Sequence, residues 1–291
     1  MNADPGPSGS AAVHAVDRSG PRSRSEQGRW SSFAIDVASA SAGVRAVRSN
    51  PHLDGRKVGL IIPSVNTTTE PEFAWIAPPR ISFHAARVFM NATNAAALRA
   101  MNTEVRHAAA LLATLAPDVL AYACTAGSFV DGPAATQSLL GDIRDIVDCP
   151  VVATSAALID ALRHLGVTRV ALATPYPADV TDAERLYLAE SGFNVVSCAC
   201  LGRSGAAVRP TTFAEIAALV RNVDKPEAEA IFVSCTDLRV LEMVDHLERE
   251  FEKPILTSNQ VTFWAIMREL KMTTPLKGFG RILDDASHES R

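Results

Sequence analysis

Cys124 and Cys235 stand at matching places in two separate parts of the chain. Each closes an apolar run with Cys-Thr: Asp118–Ser128 reads DVLAYACTAGS and Ala230–Arg239 reads AIFVSCTDLR. A run of this kind reads as a buried strand, and its polar end is where the chain turns into the next element. Two thiols brought to opposite sides of one small molecule can move a proton, or add to a substrate carbon and leave it again. A strand-end thiol whose loop opens a helix meets unpaired N–H groups and the positive helix end. Both thiols are therefore expected below the ordinary value of about 8.5. Thr125 and Thr236 are placed to cap those helices, and their hydroxyls and neighbouring amides suit a carboxylate. Asn66, in the loop after an earlier strand, offers an amide donor to the same anion. Tyr176 offers a phenol from the matching loop of the later segment. Such donors also stabilise an enolate as charge develops.

The elements that must position these residues follow a repeat. Lys57–Pro63 (KVGLIIP) reads as a strand buried on both faces. A second strand spans Ile81–Met90, a helix Asn94–Leu115, and a third strand, Val119–Ala123, delivers Cys124. Helix Gly132–Val147, strand Pro150–Ala153 and helix Ser155–Leu165 complete the unit, with Gly166 where a helix ends in the left-handed conformation. Arg169–Pro175 (RVALATP) then begins the pattern again. Helix Val180–Ser191, strand Phe193–Cys200 and helix Phe213–Val223 lead to strand Ala230–Ser234, which delivers Cys235. Helices Val240–Phe251 and Val261–Leu270 follow. Pro63 precedes Cys124 by 61 positions and Pro175 precedes Cys235 by 60, so the two cysteines are equivalent within a duplicated unit. Strands alternating with helices imply parallel sheets built from right-handed crossovers, whose ligands bind beyond the carboxyl ends of the strands.

The expected architecture is α/β: two pseudo-symmetric Rossmann-like halves, each with a parallel four-stranded sheet, and a site in the cleft between them. The boundaries read as a disordered tail over 1–52, a first half over 53–165, a second half over 166–260 and a C-terminal tail over 271–291. The helix over 261–270 is expected to pack back on the first half. The tail is rich in Ala, Ser, Gly and Arg without a sustained period, apart from a short helix expected over Ser32–Val47.

Composition excludes several classes. The 291 residues are 47% hydrophobic and 21% charged, with a net charge of −4 and a mean hydropathy of +0.10. That balance gives no reason to expect nucleic acid or an anionic membrane surface, and no apolar run is long enough to cross a bilayer. The five cysteines are odd in number and lie in or beside apolar runs, which suits a reducing cytoplasm rather than a disulfide scaffold. Cys149, Cys198 and Cys200 read as small core hydrophobes. Cys198 and Cys200 have no second Cys or His cluster at zinc spacing, so no metal is expected. Glycine-rich phosphate loops and Gly-x-Ser-x-Gly elbows are absent. His84 and Arg87 read as a salt-bridged surface pair, the run His246–Lys253 as a solvated helix face, and Asn66 and Asn259 are also common turn formers.

Five blocks in order, GLIIPSVNTTTEPE, YACTAGSFV, ATPY, VSCTDLR and PILTSNQ, resemble the Asp/Glu racemase superfamily. They are most similar to its maleate cis–trans isomerase branch, which also holds arylmalonate decarboxylases and ectoine-utilisation EutA proteins. The resemblance spans Lys57 to Leu270. It implies no cofactor, a small carboxylate substrate, a homodimer or homotetramer, and catalysis by Cys124 as nucleophile with Cys235 as its acid partner. By motif, Asn66, Thr125, Ala126, Tyr176 and Thr236 fall where the family binds carboxylates, and Asp237 in the same block joins them as a substrate-binding candidate. Both thiols are present, whereas the arylmalonate decarboxylase type keeps only the second. Isomerisation, racemisation of an amino acid or hydantoin, an EutA-like role, decarboxylation of a malonate through Cys235 alone, and non-catalytic sensing of a small carboxylate are the alternatives these residues leave.

Overall fold

The computed structural model describes residues 50–284, so the expected tail up to residue 49, with its short helix, lies outside the described residues. Strands β1 (Arg56–Pro63), β2 (Ile81–Val88), β3 (Val119–Tyr122) and β4 (Val151–Ala153) form one sheet in the order β2-β1-β3-β4. Strands β5 (Arg169–Thr174), β6 (Asn194–Cys200), β7 (Ala230–Val233) and β8 (Ile255–Thr257) form a second in the order β6-β5-β7-β8. All six pairings are parallel. In each sheet the chain starts centrally, runs to one edge, then recrosses to the other side. The direction of travel therefore reverses between β1 and β3, and again between β5 and β7. Those reversals are the crevices where open parallel sheets take ligands. The registers Ile61↔Tyr122 and Ala173↔Val233 place the loops after each pair side by side.

Eleven helices are described: α1 (Thr69–Ile76), α2 (Ala95–Asn102), α3 (Val105–Ala113), α4 (Thr125–Phe129), α5 (Gly132–Arg144), α6 (Thr154–His164), α7 (Ala178–Glu190), α8 (Phe213–Val223), α9 (Val244–Phe251), α10 (Ser258–Glu269) and α11 (Arg281–Asp284). Central strands such as β1 are apolar throughout because helices cover both faces, leaving Val58 to Pro63 buried. Helix α10 starts at a capping box between Thr257 and Gln260, leaves the second sheet and packs on α6, β3 and β4 of the first. Its Phe263 ring lies 5.3 Å from Phe73 of α1, which in turn lies 5.5 Å from Phe83 of β2. Edge-on aromatic contacts of this kind add about 0.5–1.5 kcal/mol each beyond the area they bury.

Several elements depart from the sequence reading. Asn94–Leu115 is two helices, not one. Tight bonds from Thr103 N–H to Ala100 O and from Glu104 N–H to Met101 O end α2, and the Glu104 carboxylate turns away to accept from Phe89 N–H at 3.0 Å. Helix α9 begins at Val244 after a 3₁₀ turn over Leu241–Met243. The stretch after Leu270 stays packed as far as Asp284: Ile282 and Leu283 are buried, and Gln260 Nε2 donates to Phe279 O at 2.6 Å. Glu248 is buried rather than solvated, accepting from Ile255 N–H and Arg281 N–H. Cys198 and Cys200 are exposed, not core. They share one face of β6, an edge strand, and that face is the less covered of the two.

Candidate active site

Four loops meet where the two sheets present their carboxyl ends. Asn66 follows β1, Cys124 follows β3, Tyr176 follows β5 and Cys235 follows β7. With Thr125, Ala126, Thr236 and Asp237, they line a single chamber that is closed by Pro63, Val65, Met90, Thr93, Gly205 and Val208. The free space inside is about 20 Å³, room for roughly one water molecule. Two wider clefts, of about 670 and 460 Å³, lie outside it along Thr67, Arg209 and Arg239.

The two thiols are held differently. Cys124 is itself the cap of α4, so Thr125 is the first helical residue rather than the cap. Its Sγ accepts from Gly127 N–H at 3.3 Å, while the Tyr122 phenol gives its proton to Asn102 Oδ1. No helix follows Cys235. Its backbone has φ +99°, a conformation that costs a non-glycine residue on the order of 1–3 kcal/mol. Its Sγ accepts from Asp237 N–H at 3.4 Å. Burial dominates at both sites: Cys124 is pushed up to about 11 and Cys235 to about 12. The lowered values expected from the sequence are not found, because burial penalises a thiolate more than one N–H donor at each sulfur compensates.

Hydrogen bonds lock the loops to one another across the two halves. Asn66 donates to the hydroxyls of Thr69 (3.0 Å) and Thr236 (3.1 Å), and its carbonyl accepts from Thr68 N–H and Thr69 N–H. Asp237 Oδ1 accepts from Thr67 N–H at 2.8 Å and Thr68 Oγ1 at 3.0 Å. Ser258 Oγ accepts from Cys235 N–H and from Thr125 Oγ1, each at 2.8 Å. Asn259 is more than a turn former: it donates to Thr236 O and to Glu72, and accepts from Thr69 Oγ1. Arg87 pairs with Glu70 and donates to Asn66 O at 2.8 Å, while His84 meets only the Ser82 hydroxyl.

Behind Tyr176 lies a network that no sequence motif singles out. Ser234 Oγ donates to Glu184 Oε1 at 2.7 Å and lies 3.4 Å from the Tyr176 phenol. Burial pushes Glu184 up to about 8 despite the Ser234 bond. Burial, and then the charges of Cys235 and Glu184, lift Tyr176 well above the ordinary phenol range, so it remains a donor. Ser258 was within reach of sequence reasoning, as part of the TSNQ block. Glu184 sits in an unremarkable amphipathic helix and carried no signal. Above the chamber, Thr93 N–H donates to Ser204 Oγ at 2.6 Å and Gly205 N–H to Thr93 Oγ1 at 3.0 Å, latching the loop after β2 to the loop after β6. Among the described residues, no three His, Cys, Asp or Glu side chains cluster as metal ligands, and no helix is long and apolar enough to cross a membrane.

Comparison with known proteins agrees with this geometry. A maleate isomerase from Nocardia farcinica is 29% identical over 239 residues, covering 78% of this chain and 95% of the relative. The arylmalonate decarboxylase of Bordetella bronchiseptica is 32% identical over 166 residues, covering 56% of this chain and 69% of the relative. Among solved structures, a cysteine-to-serine variant of the Nocardia farcinica maleate cis–trans isomerase with a covalently bound succinylcysteine intermediate superimposes with a TM-score of 0.73. It is 28% identical, and the match covers 79% of this chain and 98% of that one. The family model for Amdase, arylmalonate decarboxylase, matches residues 58–283, and the chain belongs to that family.

Proposed function

We propose that the protein is a cofactor-independent cis–trans isomerase of a small, cis-configured unsaturated acid of the maleate type. The observation that carries this reading is the presence of both thiols on the wall of one chamber, from equivalent positions on two sheets. Cys124 is the nucleophile. It alone caps a helix and accepts a helical N–H, whereas the Asp237 carboxylate beside Cys235 favours the thiol form there. The Cys124 thiolate adds to one alkene carbon, and the π pair moves to the neighbouring carbon as an enolate. Cys235 protonates that carbon, leaving a single bond that rotates. Cys235 then takes the proton back as the C–S bond breaks, and the trans acid leaves. No electrons are gained or lost overall.

The hydroxyls of Tyr176 and Thr236 are the donors for the carboxylate that carries the developing charge. Holding sulfur and alkene at near-attack distance accounts for much of the acceleration, about 7–11 kcal/mol in favourable cases. The relative's succinylcysteine adduct supports addition rather than simple proton transfer, and the retention of two cysteines distinguishes this site from a decarboxylase that needs one. Family resemblance further supports a cytoplasmic homodimer or homotetramer, a state that light scattering on the purified protein tests.

Proton NMR of maleate with the wild-type protein and with Cys124→Ser and Cys235→Ser tests the reading. The wild type is expected to convert the cis alkene signal into the trans one, and each variant to lose turnover while staying folded. Full activity in either variant overturns it. Deuterium entering the α-position of an amino acid in D₂O, with maleate untouched, makes the protein a racemase instead.

A further inference from the structure

The chamber is lined by one carboxylate, Asp237, to which the isomerase mechanism gives no contact with substrate. Asp237 is 6% exposed and lines the chamber whose wall carries both thiols. Its two oxygens are not equivalent. Oδ1 accepts from Thr67 N–H and Thr68 Oγ1, which ties down the loop entering α1. Oδ2 is buried with no hydrogen-bond partner. Native interiors rarely leave such an atom unpaired, and where they do, a ligand or water commonly completes it.

Burial pushes the Asp237 carboxyl up, and the donors on Thr67 and Thr68, then the charge of Arg209, only partly oppose it. Arg209 forms no ion pair with Asp237, and Arg209 Nε is itself without a partner. Other polar groups in the chamber have the opposite character. Asn66 has both ends committed, and Tyr176 and Thr236 offer O–H donors. The chamber therefore offers O–H donors that suit a carboxylate and, at Asp237, an acceptor that suits a proton-bearing group. A dianion would set a second carboxylate against Oδ2, with like charges in a space that water barely enters.

We propose that Asp237 determines specificity: its free oxygen accepts a hydrogen bond from an N–H or O–H of the substrate. The preferred acid then carries one carboxylate and, at its other end, a neutral donor such as a primary amide. This rests on the isomerase reading above and narrows it from cis-dicarboxylates to cis-monoacids with a donor group. Asp237→Asn separates the specificity role from the structural one. The amide oxygen must stay on the Thr67 and Thr68 donors, so the amide nitrogen takes the place of Oδ2 and turns the free acceptor into a donor.

The test measures kcat/KM by proton NMR for maleate and for its monoamide, with wild type and Asp237→Asn. Wild type is expected to prefer the monoamide by about tenfold or more, since sites built to hydrogen-bond one group discriminate strongly against analogues lacking it. In Asp237→Asn the preference is expected to move toward maleate. A wild-type preference for maleate, or an unchanged ratio in the variant, overturns the proposal. Should wild type turn over neither acid, the isomerase reading fails, and thermal shifts with the saturated analogues succinamate and succinate decide the inference separately. Stronger stabilisation of wild type by succinamate, with the order reversed in Asp237→Asn, supports it; equal shifts overturn it.

Discussion

Cys235 gives its backbone N–H to Ser258 Oγ at 2.8 Å, and that oxygen also receives the hydroxyl of Thr125, the residue after Cys124. One serine at the start of α10 thus fixes the spacing of two loops that come from different sheets. It also anchors Cys235 in its left-handed conformation. Ser258→Ala leaves the half-buried Cys235 N–H and the buried Thr125 hydroxyl unsatisfied. A loss of about 1–3 kcal/mol in denaturant unfolding is expected, with kcat reduced roughly ten- to a hundredfold by misplacement of the sulfurs. Unchanged kcat in a folded variant would show that the thiols are positioned by other contacts.

Gly127 has no room for a side chain. A Cβ there would stand 2.1 Å from the Tyr122 phenol oxygen, 2.6 Å from Met101 Cε and 3.1 Å from Cys124 Sγ. Tyr122 cannot yield easily, since it donates to Asn102 Oδ1 at 2.5 Å. Gly127→Ala is expected to destabilise the protein by about 1–3 kcal/mol through overpacking and to abolish turnover by displacing Tyr122 against Cys124. Thermal unfolding and the NMR assay check both halves; wild-type activity would contradict the packing argument.

Burial, not the helix end, sets the chemistry of the resting thiols. With Cys124 pushed up to about 11, its thiolate fraction is small at neutral pH and grows about tenfold per pH unit. Iodoacetamide labelling of Cys124, followed by peptide mapping, is therefore expected to be slow at pH 7 and to accelerate steadily toward pH 10. Fast labelling that does not change between pH 7 and 9 would mean that the resting site is open and the thiol already ionised.

Glu184 gives the fold its own pH dependence. Its carboxyl rises from the ordinary 4.5 to about 8 on folding, so between those values the folded chain holds a proton that the unfolded chain has released. Stability from this group is then complete below about pH 4.5 and is lost as pH rises through 8. Glu72, lifted by burial to about 7, acts in the same sense. Glu184→Gln keeps an acceptor for Ser234 and removes the titration. Its unfolding temperature is expected to fall less steeply than that of wild type between pH 5 and 8, and parallel slopes would place the proton elsewhere.

Much of this site was legible because duplication is visible in one dimension. The spacing from Pro63 to Cys124 and from Pro175 to Cys235 marks equivalent strand ends, and parallel sheets send such ends to ligand. The α8 boundaries came out at Phe213–Val223, as read, because Thr212 and Glu215 form a capping box. Asn94–Leu115 was misread because Thr103 and Glu104 have ordinary helical propensity, and only long-range bonds reveal the break. Cys198 and Cys200 look like core in sequence, since nothing local distinguishes an edge strand from a central one. The thiol environment was misjudged for a related reason. Helix ends are local features, whereas desolvation depends on the opposite half of the molecule.

Peptide mapping of the Cys235→Ser variant after incubation with maleate or its monoamide bears most directly on the shared action of the two thiols. A covalent saturated adduct on Cys124, its second carbon protonated by water in place of the missing thiol, and accumulating without release of the trans acid, is the expected result. An unmodified Cys124 in a variant that still produces the trans acid would contradict it.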